Sequence, residues 1–183
     1  MALRDWIIPH DYVCPFDPDT TGGVVPGKER IVPYTDTDGV RGSGISKQVY
    51  LYNSTGSALV KGAAYIVGYD GDEETNPMVF AYSGAITLDR EFVIATSAVP
   101  AASFGWFVYA GYANVVLDGG TTDIAKDDYV KMTTAVSNSY PSSDGTATYS
   151  ADSLGIATAA QTAAASITSF TKVFLIGGLR DGD

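Results

Sequence analysis

The sequence predicts an all-β fold: a compact barrel or sandwich of short strands carrying a long extended N-terminal arm. Three observations lead there. The first is composition: the 183 residues include 28 Val plus Ile against 8 Leu, with 18 Thr and 12 Tyr. β-Branched and Tyr side chains suit a pleated, half-buried surface, and the straight-chain helix formers are scarce. The second is spacing: short apolar runs recur at close intervals between Gly- and Asp-rich turns. The third is the placement of proline, with five of eight in the first 44 residues: Pro9, Pro15, Pro18, Pro26 and Pro33.

Residues 1–44 therefore read as an arm and residues 45–183 as the β-rich domain. Proline at that density prevents both a regular helix and a central strand. Yet Trp6, Ile7, Ile8, Tyr12, Val13 and Phe16 are scattered through the segment. Large apolar groups without a period need a place to bury. The sequence leaves two places open, a partner's surface or the arm's own domain.

The domain opens with alternation over residues 48–53, where Val49, Leu51 and Asn53 share one side and Tyr50 and Tyr52 the other. Ser54-Thr55-Gly56-Ser57 is a turn. Further strands are predicted at 63–69, 78–82, 91–95, 105–109, 112–117, 129–132, 154–158 and 173–176. Residues 70–77 read as a long acidic loop, and Ala110-Gly111 as a break between two strands. Residues 99–103, with Pro100, form a helical turn or a loop. Residues 137–152, rich in Ser, Thr, Asn and Gly, read as a long loop. The Ala-rich stretch 158–166 is open between helix and extended chain. Leu59-Val60-Lys61-Gly62 before Tyr65 is echoed by Ile124-Ala125-Lys126-Asp127 before Tyr129. Two matches do not make a repeat protein, but they suggest two similar entry turns.

Charge and composition exclude several functions. The net charge of −10 would be repelled by phosphate backbones and anionic lipid, so direct nucleic-acid or membrane binding is not expected. Cys14 is the only cysteine and His10 the only histidine, which argues against disulfides and Cys- or His-rich metal sites. No apolar run reaches membrane-spanning length. Pro9, His10 and Asp11 interrupt any leader-like stretch, so the expectation is a protein made and kept in a cytosol or assembled there into something larger.

The catalytic inventory is equally thin, and the sequence predicts no enzyme and no cofactor. No G-x-S-x-G elbow is present. Cys14 and His10 lie in an extended segment where nothing organises them as a nucleophile–base pair. Asp127-Asp128 and Glu73-Glu74 are adjacent in sequence, and adjacent strand residues point to opposite faces. Asp17-Pro18-Asp19, Asp36-Thr37-Asp38-Gly39 and Asp70-Gly71-Asp72-Glu73 look like oxygen-ligand loops. The EF-hand spacing is incomplete, and Asp-Gly is a common turn. Gly39-Val40-Arg41-Gly42-Ser43-Gly44 lacks the Lys of a phosphate loop. Tyr-bearing strands (Tyr50, Tyr52, Tyr65, Tyr69, Tyr82, Tyr109, Tyr112) offer two readings. One is half-buried strand positions; the other is a carbohydrate-binding face on a virion or cell surface.

The run Phe104-Gly105-Trp106-Phe107-Val108-Tyr109-Ala110-Gly111-Tyr112-Ala113 resembles the decoration, or cement, proteins of tailed-bacteriophage capsids. The likeness continues through Ile124-Ala125-Lys126-Asp127-Asp128-Tyr129-Val130, Leu154-Gly155-Ile156-Ala157 and Val173-Phe174-Leu175-Ile176-Gly177-Gly178. It covers residues 100–178, and 47–69 more loosely. It departs at Lys126-Asp127-Asp128, where the family pattern has Gly-Asp.

The resemblance implies a structural virion protein on the capsid exterior, assembled in the host bacterial cytoplasm. It implies the major capsid protein as partner, a homotrimer, and no catalysis. On that reading Trp6, Ile7, Tyr12, Phe16, Val24, Ile31 and Tyr34 are the arm's contacts with a partner, because large apolar groups in an irregular segment act as anchors. Trp106, Phe107, Val108, Val115 and Leu117 are expected in the core or a subunit interface.

Overall fold

The computed structural model describes residues 27–36, 39–70, 73–80, 92–117, 123–131, 153–160 and 170–176. Nine strands make one mixed sheet: β1 (Glu29–Thr35), β2 (Arg41–Asn53), β3 (Ala64–Asp70), β4 (Glu73–Phe80), β5 (Phe92–Ala95), β6 (Phe104–Val116), β7 (Tyr129–Lys131), β8 (Ser153–Ala157) and β9 (Phe170–Leu175). Their order is β1-β2-β4-β3-β5-β6-β9-β8-β7, with β2 also paired to β6. That extra pairing closes β2, β4, β3, β5 and β6 into a ring. The fold is all-β, and no helix occurs among the described residues.

Two strands of 13 residues, β2 and β6, organise everything. They pair antiparallel from Ser46↔Gly111 to Tyr52↔Phe104. The other edge of β2 is shared: β1 takes its first part and β4 its last two residues, in parallel. The other edge of β6 is shared likewise, by β5 at Val108 and Phe107 and by β9 from Gly111 onward. Each long strand thus leaves the ring and continues into a flanking sheet.

Alternation sorts the side chains. Val49 and Leu51 from β2 and Phe107 from β6 point into the ring with Tyr65, Val67, Val79 and Val93. On the outer face of the same pair, Tyr50, Trp106 and Phe104 form an aromatic cluster. A further core lies under β6, β9 and β8, built from Ala113, Val115, Leu117, Val173, Leu175 and Ala157. At about 25 cal/mol per Å² of apolar area, these buried residues are the main favourable term for the fold.

Several boundaries differ from those the sequence predicts. Part of the segment 1–44 is sheet: β1 pairs with β2 over Glu29↔Val49 to Thr35↔Arg41, so the 44/45 boundary falls inside β2. Pro33 is tolerated because β1 is an edge strand. The expected acidic loop at 70–77 is mostly strand, since β3 and β4 pair from Ile66↔Phe80 to Asp70↔Glu73. The expected break at Ala110-Gly111 is instead a bend within one strand. Gly111 has φ +81°, and a Cβ there would lie 2.4 Å from the Ile45 carbonyl oxygen. The loop at 137–152 and all but the start of the 158–166 stretch lie outside the described residues.

The echo at Leu59 and Ile124 is real in structure and occurs a third time, at Val99. In each case a buried apolar residue makes a bridge, and three positions later the backbone adopts positive φ: Gly62 (79°), Ala102 (54°) and Asp127 (73°). Two positions beyond that residue a strand begins. Ala63 N donates to Val60 O and Asp128 N to Ala125 O, closing four-residue turns with the left-handed residue third, the type II pattern. Leu59 and Val99 bridge each other, so two of the three turns meet.

Candidate functional site: an apolar row across the sheet

The antiparallel register of the flanking sheet sets one row of side chains across four strands. Tyr112 of β6 is opposite Phe174 of β9. Phe174 is opposite Ile156 of β8, and Ile156 is opposite Tyr129 of β7. Ala113 and Val173, one step along the same strands, and Val115, three steps from Tyr112, point to the other face and are buried in the core. This row therefore looks outward. Phe174 is 42 % exposed, and Ile176, just beyond β9, is 41 % exposed. Covering the exposed part of Phe174 would be worth about 1 kcal/mol.

One end of the row is rigid. The Tyr112 and Phe174 rings meet edge-on with centroids 5.1 Å apart, and Tyr34 packs on Tyr112 at 5.8 Å. Tyr34 is held by its hydroxyl, which donates to Asn114 Oδ1 at 2.5 Å, while Asn114 Nδ2 donates to the Thr35 carbonyl at 2.9 Å. The Lys172 ammonium lies 4.2 Å from the Tyr112 ring centroid and 4.5 Å from that of Tyr34, and donates to Ser43 O at 3.4 Å. Burial, and then the negative charge of Asp36, push the Tyr34 phenol above its ordinary value. Gly42 and Gly44 let these rings lie on β2, because a Cβ at either position would overlap Tyr34 or Tyr112.

A second set of exposed apolar groups sits on the β1–β2 edge. Ile31 is 60 % and Ile45 50 % exposed, and their strands place Ile31 opposite Lys47 and Pro33 opposite Ile45. Nearby, Tyr109 donates to Glu29 Oε2 at 2.8 Å. Desolvation and this bond to the carboxylate push its phenol up to about 12.

The residues singled out from sequence fall into three groups. Trp6, Ile7, Tyr12, Phe16 and Val24 lie outside the described residues, as do His10 and Cys14. Ile31 is exposed on the edge strand. Tyr34 is not available to a partner: it is 4 % exposed and spent on Tyr112 and Asn114 of its own chain. Trp106, Phe107, Val108, Val115 and Leu117 are all buried within the single chain. Phe174, Ile156 and Tyr129 stand in the stretches that carry the resemblance but not among the expected contact residues; they fall on the predicted strands 173–176, 154–158 and 129–132.

The tyrosine-bearing strands do not share one platform, because Tyr50 and Tyr65 are buried. Asp36 and Asp128 are used as turn acceptors, for Val40 N and Ala125 N at 2.8 Å each. Among the described residues, no group of three His, Cys, Asp or Glu side chains could hold a metal. No helix there is long and apolar enough to cross a membrane. No family model, curated protein or solved structure matches the chain.

Proposed function

We propose that this chain is a structural virion protein that binds the outer surface of a phage capsid and cements neighbouring capsomers against the pressure of packed DNA. The observation that carries the reading is the outward row Tyr112–Phe174–Ile156–Tyr129 on a hydrogen-bonded sheet. It is a firm apolar surface of the kind that associates with other protein. The sequence likeness of residues 100–178 to cement proteins supplies the partners: the major capsid protein and further copies of the chain, as a homotrimer. Nucleic acid is not among them, and the location is the capsid exterior after assembly in the bacterial cytoplasm.

Charge supports an assembly role. The net charge of −10 keeps copies of the free protein soluble before they meet a partner. Repetition on a lattice multiplies weak contacts by avidity.

The test is light scattering and co-sedimentation with undecorated phage heads. A trimer that pellets with heads and raises their rupture temperature is the expected result. A monomer that ignores heads would overturn the reading. Specific binding in a glycan screen without head binding would favour the carbohydrate-binding module instead.

A further inference from the structure

We infer that the outward face of β6, β9, β8 and β7 takes an acidic segment of a partner protein, one that presents carboxylates beside apolar side chains. The inference deepens the proposed capsid contact and rests on that reading for its partner; it names the chemistry of the surface this face meets.

The charge of the face is opposite to that of the chain. The chain carries 21 Asp and Glu against 11 Lys and Arg. Yet β6, β7, β8 and β9 contain no Asp or Glu, and they hold two lysines, Lys131 and Lys172. Both lie on the outward side. Lys172 is two residues from Phe174 and Lys131 two from Tyr129, with the buried Val173 and Val130 between them. The apolar row is thus accompanied by one ammonium on β9 and another on β7.

Lys172 is already aimed. Its ammonium rests 4.2 Å from the Tyr112 ring centroid and 4.5 Å from that of Tyr34, and donates to Ser43 O at 3.4 Å. Among the described residues these contacts are ring faces and a carbonyl rather than a carboxylate. A cation ordered beforehand loses little side-chain freedom when a carboxylate arrives. Phe174 and Ile176, 42 % and 41 % exposed, supply the apolar part of the contact. A carboxylate flanked by apolar groups complements the face in both charge and polarity.

Charge also decides among occupants. A second copy set face to face would bring lysine against lysine. A nucleic-acid strand would meet the same lysines, but the net charge of −10 repels a phosphate backbone. The chain's own groups leave Phe174 and Ile176 exposed, so the face stays open to a partner.

The test uses the full chain and two labelled synthetic peptides, Glu-Phe-Glu-Leu-Glu-Phe-Glu and the same peptide with Lys for each Glu. Fluorescence anisotropy at physiological salt, where distant charges are screened, reads the binding. The acidic peptide should bind at least about tenfold more tightly than the basic one, and more weakly as salt rises. Lys172→Glu and, separately, Ile176→Asp should each weaken it by about tenfold, with β-sheet circular dichroism unchanged. Lys47→Glu, exposed on β2, should bind like the parent. Equal affinity for the two peptides, tighter binding of an oligothymidylate, or binding that survives both substitutions overturns the inference. So does loss of the trimer in either variant, because the face then joins copies of the chain. Head co-sedimentation separates the two readings. Heads bound equally by parent and variants leave cement function standing on another surface and overturn this inference. A parent that takes the acidic peptide but ignores heads keeps the inference and removes the capsid as its partner.

Discussion

The guanidinium carbon of Arg30 lies 3.8 Å from the centroid of the Trp106 ring. The same group donates from Nε and Nη2 to Gln48 Oε1, at 2.9 and 2.6 Å. Arg30 belongs to the edge strand β1, and Trp106 and Gln48 to the two long central strands. The contact therefore fastens the edge strand to the outer aromatic cluster. The Trp106 indole nitrogen is buried and has no hydrogen-bond partner among the described residues, so the ring contributes through its face.

Arg30→Ala should accordingly destabilise the fold by about 1–2 kcal/mol, the sum of a partly desolvated cation–π contact and a charged hydrogen bond. Arg30→Lys should recover less than half of that, since an ammonium cannot stack flat and fork at once. Chemical denaturation measures both. In a Trp6→Phe background, Trp106 emission should also shift to the red in Arg30→Ala. Unchanged stability in that variant would mean β1 is held by its backbone ladder alone.

Asn53, at the end of β2, is fully buried and holds three segments together. Its Nδ2 faces the carbonyls of Ser57 at 2.8 Å, Val99 at 3.1 Å and Pro100 at 2.9 Å, while Oδ1 accepts from the N–H and hydroxyl of Thr55. Asn53→Leu removes the amide donor from all three carbonyls, of which Val99 O keeps the Leu59 N–H and Ser57 O the Thr55 hydroxyl, and it strips Thr55 of its acceptor in a space sized for an amide, at a cost of about 2–4 kcal/mol. Asn53→Asp fares no better, because a carboxylate donates nothing to three carbonyls. A melting temperature within a degree or two of the parent for either variant would contradict this role.

Legibility from sequence followed the pairing physics. Residues 48–53 and 63–69 were legible as apolar runs of strand length, because both faces of these strands are buried, and both are strands. β1 was hidden because an edge strand can carry Pro33 and leave Ile31 in water, so its pattern resembles an irregular arm. β4 was hidden because Glu73, Glu74, Thr75, Asn76 and Pro77 carry no apolar period; backbone pairing to β3 decides their structure. The third entry turn escaped because Val99-Pro100-Ala101-Ala102 shares backbone form, not letters, with its two relatives. The apolar row needed the registers of four strands at once, which no single segment encodes.

The three entry turns make an internal comparison. Gly62 meets the positive-φ requirement without strain, whereas Ala102 and Asp127 adopt it with a Cβ present. Ala102→Gly should therefore stabilise by about 0.5–1 kcal/mol, the relief of left-handed strain less the added freedom of the unfolded chain. Gly62→Ala should do the opposite and more, since its new Cβ would lie 2.7 Å from Phe170 Cε1 and 3.0 Å from Val116 Cγ2. Paired denaturation curves decide this, and a destabilised Ala102→Gly would remove strain as the explanation.

Alkaline pH should loosen the same sheet edge through Tyr109. Its folded phenol is pushed up to about 12 from the ordinary 10.0, by desolvation first and then by the bond to Glu29. Between those values the unfolded chain has released its proton and the folded chain has kept it. Stability is thus full below pH 10 and falls as pH rises toward 12. Tyr34, raised in the same direction by burial, adds to the slope. Tyr109→Phe should flatten the alkaline limb of a stability–pH curve without abolishing it, because Tyr34 remains. Glu29→Gln should act partway, keeping an acceptor for the hydroxyl while removing the charge that opposes ionisation. Parallel alkaline limbs for the parent and Tyr109→Phe would show that the Glu29 contact does not hold the phenol protonated.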